Sequence, residues 1–554
     1  MIQFQRLLIS LIATSSFAHA NGQADSLLIN ANIYGHPTAN SVAITQGKIS
    51  YIGSADGAAT LKGSETEIID LGNAFLLPGF IDNHNHVFEA ASEAGGSCEL
   101  LEGGTLSEQV PYLKDCREMS PTSGWITGYG FTIENLLSSQ DETTPLEVLD
   151  SLFPNQPVVF MEQTSHSMWV NSLAFELSGF NHESIDPPGG KILKTKSGKF
   201  NGILLDNAGD IVMETAWNSL PNQFDQSYQG LMAGLEEAAA HGITTIGDGR
   251  LYWKRGWLEV WKAAEKSGDL TARVSLRPWI YPEVGKKNQL EYLESIYTDD
   301  HSNLLLVNQV KMYSDGILVN GTAKVLAPYL TTYIPNQPYG LNYISPKDMT
   351  NWLSELAQIG YSAHIHAIGD GAVRESLNAV EAMREKGQKQ RYTFTHVELV
   401  DKADVPRFAK LNVTADFQVG SDYVAYNDHT WAEAIIGIKK AKSMMNLSTM
   451  FDHQVNVTLS SDWNVHDINP LVGIANSMKM KPYGLPDINA AIDAYTINAA
   501  YSLGLEELTG SIDLGKSADF VVLSDDITKM RLESIPNSRV LMTVLQGNVI
   551  YKFE

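Results

Sequence analysis

The sequence predicts an α/β fold: an eight-stranded parallel barrel with a small β domain made from both chain ends. Three observations lead to this prediction. Eight apolar runs typical of strands alternate with helical patterns, as expected of repeated βα units. Short runs bounded by turn residues occupy both ends of the chain. A gap of about 150 residues after the first run is too long for an ordinary connection and predicts an inserted substructure.

The eight runs are the opening strand that ends at His86, followed by 242–248, 272–280, 309–315, 361–368, 392–397, 412–417 and 455–462. Eight is the number of parallel strands that a closed (β/α)8 barrel requires. We expect the barrel to span 77–505, with the insert at about 95–205. The terminal stretches 21–76 and 506–554 should form one composite β domain.

The first twenty residues are typical of a cleavable signal peptide. Arg6 precedes an apolar run over 7–17, and Ala18-His19-Ala20 has the small-x-small pattern of a cleavage site. We therefore expect a periplasmic or secreted protein; a retained signal that anchors the chain is the alternative. No other run approaches the ~20 apolar residues of a transmembrane helix, so no membrane span is expected.

Composition narrows the partners of the chain. The 554 residues are 44% hydrophobic and carry a formal net charge of -25, which argues against nucleic acid and leaves a small-molecule substrate. Whether copies associate into a homo-oligomer stays open. The two cysteines, Cys98 and Cys116, could form a disulfide in an oxidising compartment. We favour the bridge over two buried free thiols.

His84 and His86 close the opening run and lie two residues apart. In a strand they share a face and can bind one ion together, although an isolated pair of this kind is often incidental. Further polar residues stand near the ends of later runs: Lys311 in the fourth, His366 in the fifth and His396 in the sixth, with Asp462 in the eighth. Barrel enzymes place their chemistry at these strand ends.

Each of these later residues has an ordinary structural alternative. Lys311 could be a surface lysine, His366 and His396 hydrogen-bonded core histidines, and Asp462 a helix cap. Taken in order, they predict nitrogen and oxygen ligands that converge on one mouth of the barrel. His364 shares a strand face with His366, so one of the two could lie behind the ligands.

Four motifs carry a resemblance to a known family. They are the Pro-Gly-Phe-Ile-Asp-x-His-x-His opening at 78–86, Ser-His-Ser-Met-Trp-Val-Asn-Ser at 165–172, His-Ala-Ile-Gly-Asp at 366–370, and Gly-Ser-Ile-Asp-Leu-Gly-Lys-Ser-Ala-Asp-Phe at 510–520. With them the sequence resembles the amidohydrolase superfamily, and within it the amidohydrolase-3 group of YtcJ-like proteins and N-substituted formamide deformylase. The resemblance covers nearly the whole mature chain.

The resemblance implies a TIM-like (β/α)8 barrel, a β-sandwich from both termini, and a metal site with a carboxylated lysine on the fourth strand. It assigns the ligands His84, His86, Lys311, His366, His396 and Asp462, taking His366 over His364 because His366 sits in the matched motif. We expect one or two divalent ions, with zinc favoured by the imidazoles.

The residue types fit that chemistry. An unmodified lysine offers only donors near neutral pH, so Lys311 could join a cation site only when deprotonated or converted to a carbamate. Asp462 would accept a proton from the attacking water and pass it to the leaving nitrogen. His166 and Trp169, in the insert, could touch substrate or simply pack there.

The sequence thus favours an exported metal-dependent hydrolase that cleaves the C–N bond of an amide or N-formyl compound. Two alternatives remain. The same site could open a cyclic amide or deaminate a substrate, or the chain could be an exported binding protein that keeps the fold without catalysis.

Overall fold

A computed structural model describes residues 22–91, 96, 98–120, 123–138 and 143–553, so the predicted signal peptide lies outside the described residues. Each of the eight predicted runs contains one strand. These strands are β1 (Phe80–Asn85), β2 (Ile243–Asp248), β3 (Arg273–Ser275), β4 (Gln309–Tyr313), β5 (Ser362–Ala367), β6 (Tyr392–His396), β7 (Val413–Gln418) and β8 (Val457–Ser460).

The eight strands form two parallel sheets. β1, β2 and β3 pair with the short strand Leu305–Leu306 in one sheet, and β4 to β8 pair in chain order in the other. Backbone hydrogen bonds join the sheets at both seams. Lys311 N donates to Pro278 O at 3.1 Å beside β4, and Asp462 N donates to His84 O at 2.8 Å beyond β8.

Helices follow the strands and bury their apolar faces. The helix Asp370–Glu385, for example, buries Val373, Leu377 and Val380. The helices between and after β2 to β8 are Trp257–Ser267, Lys286–Ile296, Pro346–Ile359, Asp370–Glu385, Val405–Leu411, Asp422–Ala425, Thr430–Ile436, Ile438–Ala441, Leu447–Asp452, Pro470–Lys479, Ile488–Ala494 and Ile497–Leu503. Helix Gln223–Ala240 leads into β2.

The long connection between β1 and β2 contains a separate six-stranded mixed sheet. Its strands, in spatial order, are Gly190–Lys194, Phe200–Asp206, Ser167–Val170, Val158–Glu162, Ile126–Phe131 and Cys98–Glu99. The helices of the whole connection are Val87–Ala90, Leu106–Met119, Ile133–Ser138, Pro145–Leu152, Ser172–Leu177 and Asn207–Trp217. Hereafter the part of the connection that spans the six-stranded sheet, residues 98–206, is called the insert.

Two further sheets are built from the chain ends: the first contains only N-terminal strands, and the second combines N-terminal and C-terminal strands. One contains Lys48–Gly53, Ser41–Thr45, Ser26–Ile29 and Glu67–Asp70; the other contains Asn32–Ile33, Phe75–Pro78, Phe520–Leu523, Val540–Leu545 and Asn548–Lys552. Leu28 and Val42 from the first sheet share one apolar cluster with Leu76 and Phe520 from the second. The short helix Ala55–Ala59 follows the strand Lys48–Gly53.

The opening run divides at Gly79, because the turn residues Pro78 and Gly79 mark the start of β1. Pro78 pairs with Phe520 in a terminal sheet, whereas Phe80 begins β1. A side chain at Gly79 would place its Cβ 2.2 Å from Thr244 Oγ1, so only glycine allows this close approach.

The expected disulfide is absent. Cys98 and Cys116 are both free and buried, and their thiols lie within hydrogen-bonding reach of each other. This contact lowers the pKa of Cys98 to about 7. Among the described residues, no helix combines the length and apolar character needed to cross a bilayer.

A buried ion pair ties the central strands to the C-terminal segment. Arg273 of β3 lies 3.6 Å from Asp519, and both side chains are fully buried. Breaking a buried pair from one side leaves the other charge without compensation, which is more costly than replacing both partners.

We expect Arg273→Leu to lower the free energy of unfolding by about 3 kcal/mol or more because Asp519 loses its counter-charge. The double variant Arg273→Leu/Asp519→Leu should recover part of that loss. Urea unfolding of the two variants measures both values. Equal loss in the single and double variants would contradict the pairing.

Candidate active site

The carboxyl ends of the central strands open into a cavity of about 850 Å³. Residues from the strand ends, the loop after β2 and the insert line it together. Those used below are His84, His86, Glu89, His166, Arg250, Tyr313, His396 and Asp462. Four of the six predicted ligands, His84, His86, His396 and Asp462, line this cavity at the strand ends. Lys311 and His366 are fully buried and do not belong to the lining.

His84, His86 and Asp462 form the tightest cluster. The Nε2 atoms of the two histidines are 3.2 Å apart, and Asp462 Oδ1 lies 3.2 Å from the first and 3.1 Å from the second. All three side chains are buried or nearly so. Two imidazole nitrogens and a carboxylate oxygen in one small volume can hold a metal ion.

Charges around the cluster keep Asp462 ionised. Burial opposes its charge, but His84 and His86 hold its pKa well below the ordinary value. Burial likewise disfavours a charged His86, yet Glu89 and Asp462 raise its pKa to about 9. Glu89 Oε2 lies 2.6 Å from His86 Nδ1, which leaves Nε2 to face Asp462.

Lys311 lies directly beneath this cluster. The side chain is fully buried, and its Nζ is 3.4 Å from Nε2 and 3.5 Å from Nδ1 of His84. Burial lowers the pKa of Lys311 well below its usual value, and the positive charges of Arg277 and Arg250 act in the same direction. An uncharged amine in this place can react or coordinate, unlike a solvated lysine.

His396 and His366 extend the cluster along the strand ends. His396 Nδ1 lies 3.9 Å from Asp462 Oδ2, and the rings of His396 and His366 are 4.5 Å apart. His366 Nε2 donates to Gly316 O at 3.0 Å, while its Nδ1 is buried and unpartnered in the described part of the chain. Metal-binding histidines commonly use one nitrogen this way and keep the other for the ion.

His364 occupies a different place from His366. Its Nε2 lies 2.8 Å from His84 Nδ1, so it stands behind His84, on the side away from Asp462. Thr395 Oγ1 is 3.0 Å from His84 Nδ1 as well. His364 and Thr395 therefore orient the His84 ring so that Nε2 faces the cluster.

The two insert residues considered for substrate contact, His166 and Trp169, lie in different surroundings. His166 lines the cavity, and its ring stacks on Tyr313. Trp169 is fully buried in the insert, where its Nε1 donates to Pro145 O at 3.0 Å. The expected substrate contact of Trp169 is thus wrong, since that large apolar side chain fills the core of the insert.

Sequence reasoning missed two residues of the site. Glu89 stands three residues after His86 in the helix Val87–Ala90, a spacing that could have suggested the contact. Asp206 meets His166 across forty positions of sequence, for which the chain offers no local signal. Pairings of this kind emerge only from tertiary structure.

The fold and the cluster together define a metal-dependent hydrolase of the amidohydrolase type. The model of the Amidohydrolase family matches residues 67–551, and the chain belongs to this family. This membership, together with a formamide deformylase among the relatives, supports a hydrolase that acts on C–N bonds. The resemblance seen in the sequence is confirmed.

Individual relatives match over nearly their full length. YtcJ of Bacillus subtilis (strain 168) is 27% identical over 92% of this chain and 96% of its own. N-substituted formamide deformylase of Arthrobacter pascens is 23% identical over 95% and 98%. An uncharacterized metal-dependent hydrolase from Pyrococcus horikoshii OT3 superposes with a TM-score of 0.70 at 20% identity, covering 92% of this chain and 99% of its own.

Glu89→Gln should weaken zinc binding by about 10- to 100-fold, because the amide no longer provides the charge that orients and polarises His86. Titration against a chromogenic chelator measures the affinity. The matched control is Glu237→Gln, which removes a carboxylate next to the surface residue His241 and should leave zinc affinity unchanged. Equal affinity in Glu89→Gln and wild type would contradict this role.

Proposed function

We propose that this protein is an exported metal-dependent amidohydrolase that cleaves the C–N bond of a linear amide or N-formyl compound. The observation that carries the proposal is the convergence of two histidine nitrogens on one oxygen of Asp462 at 3.1–3.2 Å. Zinc suits the imidazole donors. Export rests on the signal-like residues 1–20 of the sequence.

The proposed architecture is a closed (β/α)8 barrel with a terminal β-sandwich. Hydrogen bonds at both seams between the two parallel sheets support closure. The apolar cluster shared by the two terminal sheets supports the sandwich. In this arrangement the barrel, expected over 77–505, begins with β1 at Phe80, because Phe75–Pro78 belongs to a terminal sheet.

The proposed ligands are His84, His86, Lys311, His366, His396 and Asp462. The donor set fits a divalent cation. In His86 and His366, one ring nitrogen contacts a neighbouring protein oxygen, and the other nitrogen is left to bind the cation. When bound, such a cation polarises the scissile carbonyl and lowers the pKa of water from 15.7 toward about 7.

Asp462 would act on protons in both halves of the reaction. As an ionised carboxylate it takes a proton from the attacking water, and the resulting acid gives that proton to the departing nitrogen. The pKa of Asp462, held low by His84 and His86, keeps it in the basic form at neutral pH. Tyr313 and residues of the insert line the same cavity as Asp462.

Lys311 is proposed to react with carbon dioxide. Its uncharged amine would form an N–C bond with CO2 and release one proton, giving a carbamate whose single negative charge is shared by two oxygens. The buried position next to His84 supports the reaction, since an amine is nucleophilic only without its proton. The carbamate oxygens could then bridge two ions, while the unmodified amine could serve one.

Cyclic-amide opening or deamination is the second candidate, because the same ligand set could serve it. A non-catalytic binding protein is disfavoured by the ionised Asp462 at the centre of the cluster. A panel of formamides, N-acyl amino acids, dipeptides and hydantoin-type rings, assayed with metal analysis, separates these functions. Hydrolysis of none of them by the zinc-loaded protein would overturn the proposal.

Asp462→Asn should lower turnover on the order of 10² or more, because the amide cannot take a proton from water. Zinc content should stay near that of wild type, since the histidines remain in place. Steady-state assays and elemental analysis of the same preparation measure both. Activity above a tenth of wild type would refute the assignment of Asp462.

Lys311→Ala should lose at least one metal ion per chain and nearly all activity. Added short carboxylic acids, such as formate or acetate, should restore part of both by supplying the missing oxygens. A lysine with only a structural role predicts normal metal content and reduced stability instead. Full metal occupancy with a near-normal rate would exclude the bridging role while leaving the histidine ligands intact.

A further inference from the structure

A second polar pair faces the cavity beside the predicted ligands. His166 Nδ1 lies 2.8 Å from Asp206 Oδ1, and this carboxylate is buried behind the ring. His166 itself lines the cavity, whereas Asp206 belongs to the layer behind it. Nε2 is therefore the nitrogen of His166 that remains for a molecule in the cavity.

The pair is close to the reacting groups. The ring centroid of His166 lies 5.3 Å from that of His366, which is 4.5 Å from that of His396. His396 in turn approaches Asp462 to 3.9 Å. A chain of neighbouring rings thus runs from His166 toward Asp462, and both of these residues line the cavity.

The backbone around the pair is built at a conformational cost. Asp206 has φ 50° and Ser165, next to His166, has φ 62°, both in the left-handed region that favours glycine. Such a conformation is unfavourable for residues other than glycine and persists where the surroundings enforce it. Here Asp206 N also donates to His166 O at 2.7 Å, so one backbone and one side-chain hydrogen bond join the two residues.

The chemistry of the pair fixes what His166 offers. A carboxylate beside Nδ1 selects the tautomer whose proton is on Nδ1, as the aspartate of a Ser-His-Asp triad does. Nε2 then carries a lone pair and accepts a hydrogen bond.

We infer that His166, held by Asp206, accepts a hydrogen bond from the N–H of the scissile amide, so that the site selects amides that carry an N–H. His166 is then a specificity-determining residue and Asp206 its positioning residue. The inference rests on the proposed function and narrows its substrate class to N-monosubstituted amides. A fully N-substituted amide would leave Nε2 without its partner.

The test compares matched substrates that differ by one N-methyl group. The pairs are N-butylformamide with N-butyl-N-methylformamide, and N-acetyl-leucine with N-acetyl-N-methyl-leucine, whichever class the wild-type protein hydrolyses. The measured quantity is the penalty: the fold loss in kcat/KM on N-methylation. Added bulk lowers the rate in every variant, so the change of the penalty between variants is the diagnostic value.

We expect the penalty to be at least about tenfold smaller in His166→Ala than in wild type, because the variant has no acceptor to leave unpaired. Asp206→Asn should reduce it similarly, since an amide NH2 facing Nδ1 favours the tautomer with the proton on Nε2. His166→Gln, whose Oε1 can replace Nε2 as acceptor, should keep most of the discrimination.

Two controls separate this role from general damage. Zinc content, measured in each preparation, should stay that of wild type because neither residue is a proposed ligand. His301→Ala removes a surface histidine that lies 3.2 Å from Asp299, a similar pair far from the cavity, and should leave the penalty unchanged.

An unchanged penalty in His166→Ala or in Asp206→Asn would overturn the inference, even when both variants are slow. That result leaves the proposed function standing, provided that the wild-type protein hydrolyses the amide and requires its metal and Asp462. Failure of the zinc-loaded wild type to hydrolyse either pair would overturn the inference, and failure across the wider substrate panel would remove the proposed function as well.

Discussion

The site depends on one constraint: two imidazole nitrogens and a carboxylate oxygen lie within 3.2 Å of one another in a buried place. Burying Asp462 as an ion is unfavourable unless positive charge or hydrogen bonds compensate. A proton on His86 can provide such charge, because Glu89 and Asp462 together raise the pKa of His86 to about 9. A divalent ion would replace the proton and satisfy all three atoms at once.

Layers of polar contacts below the cluster keep these atoms in place. Thr395 lies between His84 and the buried Asp416, which also accepts hydrogen bonds from Thr458 at 2.7 Å and Ser460 at 2.8 Å. These contacts tie β1, β6, β7 and β8 together beneath the site. A polar interior of this kind is stable only when its groups are paired, and such pairing pre-organises the ligands above it.

Much of this arrangement was readable from the sequence, because strand periodicity and strand ends are local properties. The eight runs, His84 and His86 on one face, and Asp462 at the end of the last run all follow from such patterns. The failures concern packing across the chain. Trp169 fills the insert core, and the two cysteines remain free thiols, neither of which residue type or spacing could decide. The spacing of Glu89 from His86 gave a local signal, whereas the contact of Asp206 with His166 is visible only in the tertiary structure.

Under the proposed function, chemistry and selectivity belong to different parts of the molecule. The central strands would deliver the groups that act on the C–N bond, whereas the insert supplies the cavity wall around His166. Asp206 ends the strand Phe200–Asp206 and begins the helix Asn207–Trp217, so the strained turn that aims its carboxylate belongs to the insert. Changes in the insert would then alter which amide is bound without moving the proposed ligands. This division makes the insert the place where substrate differences should be sought.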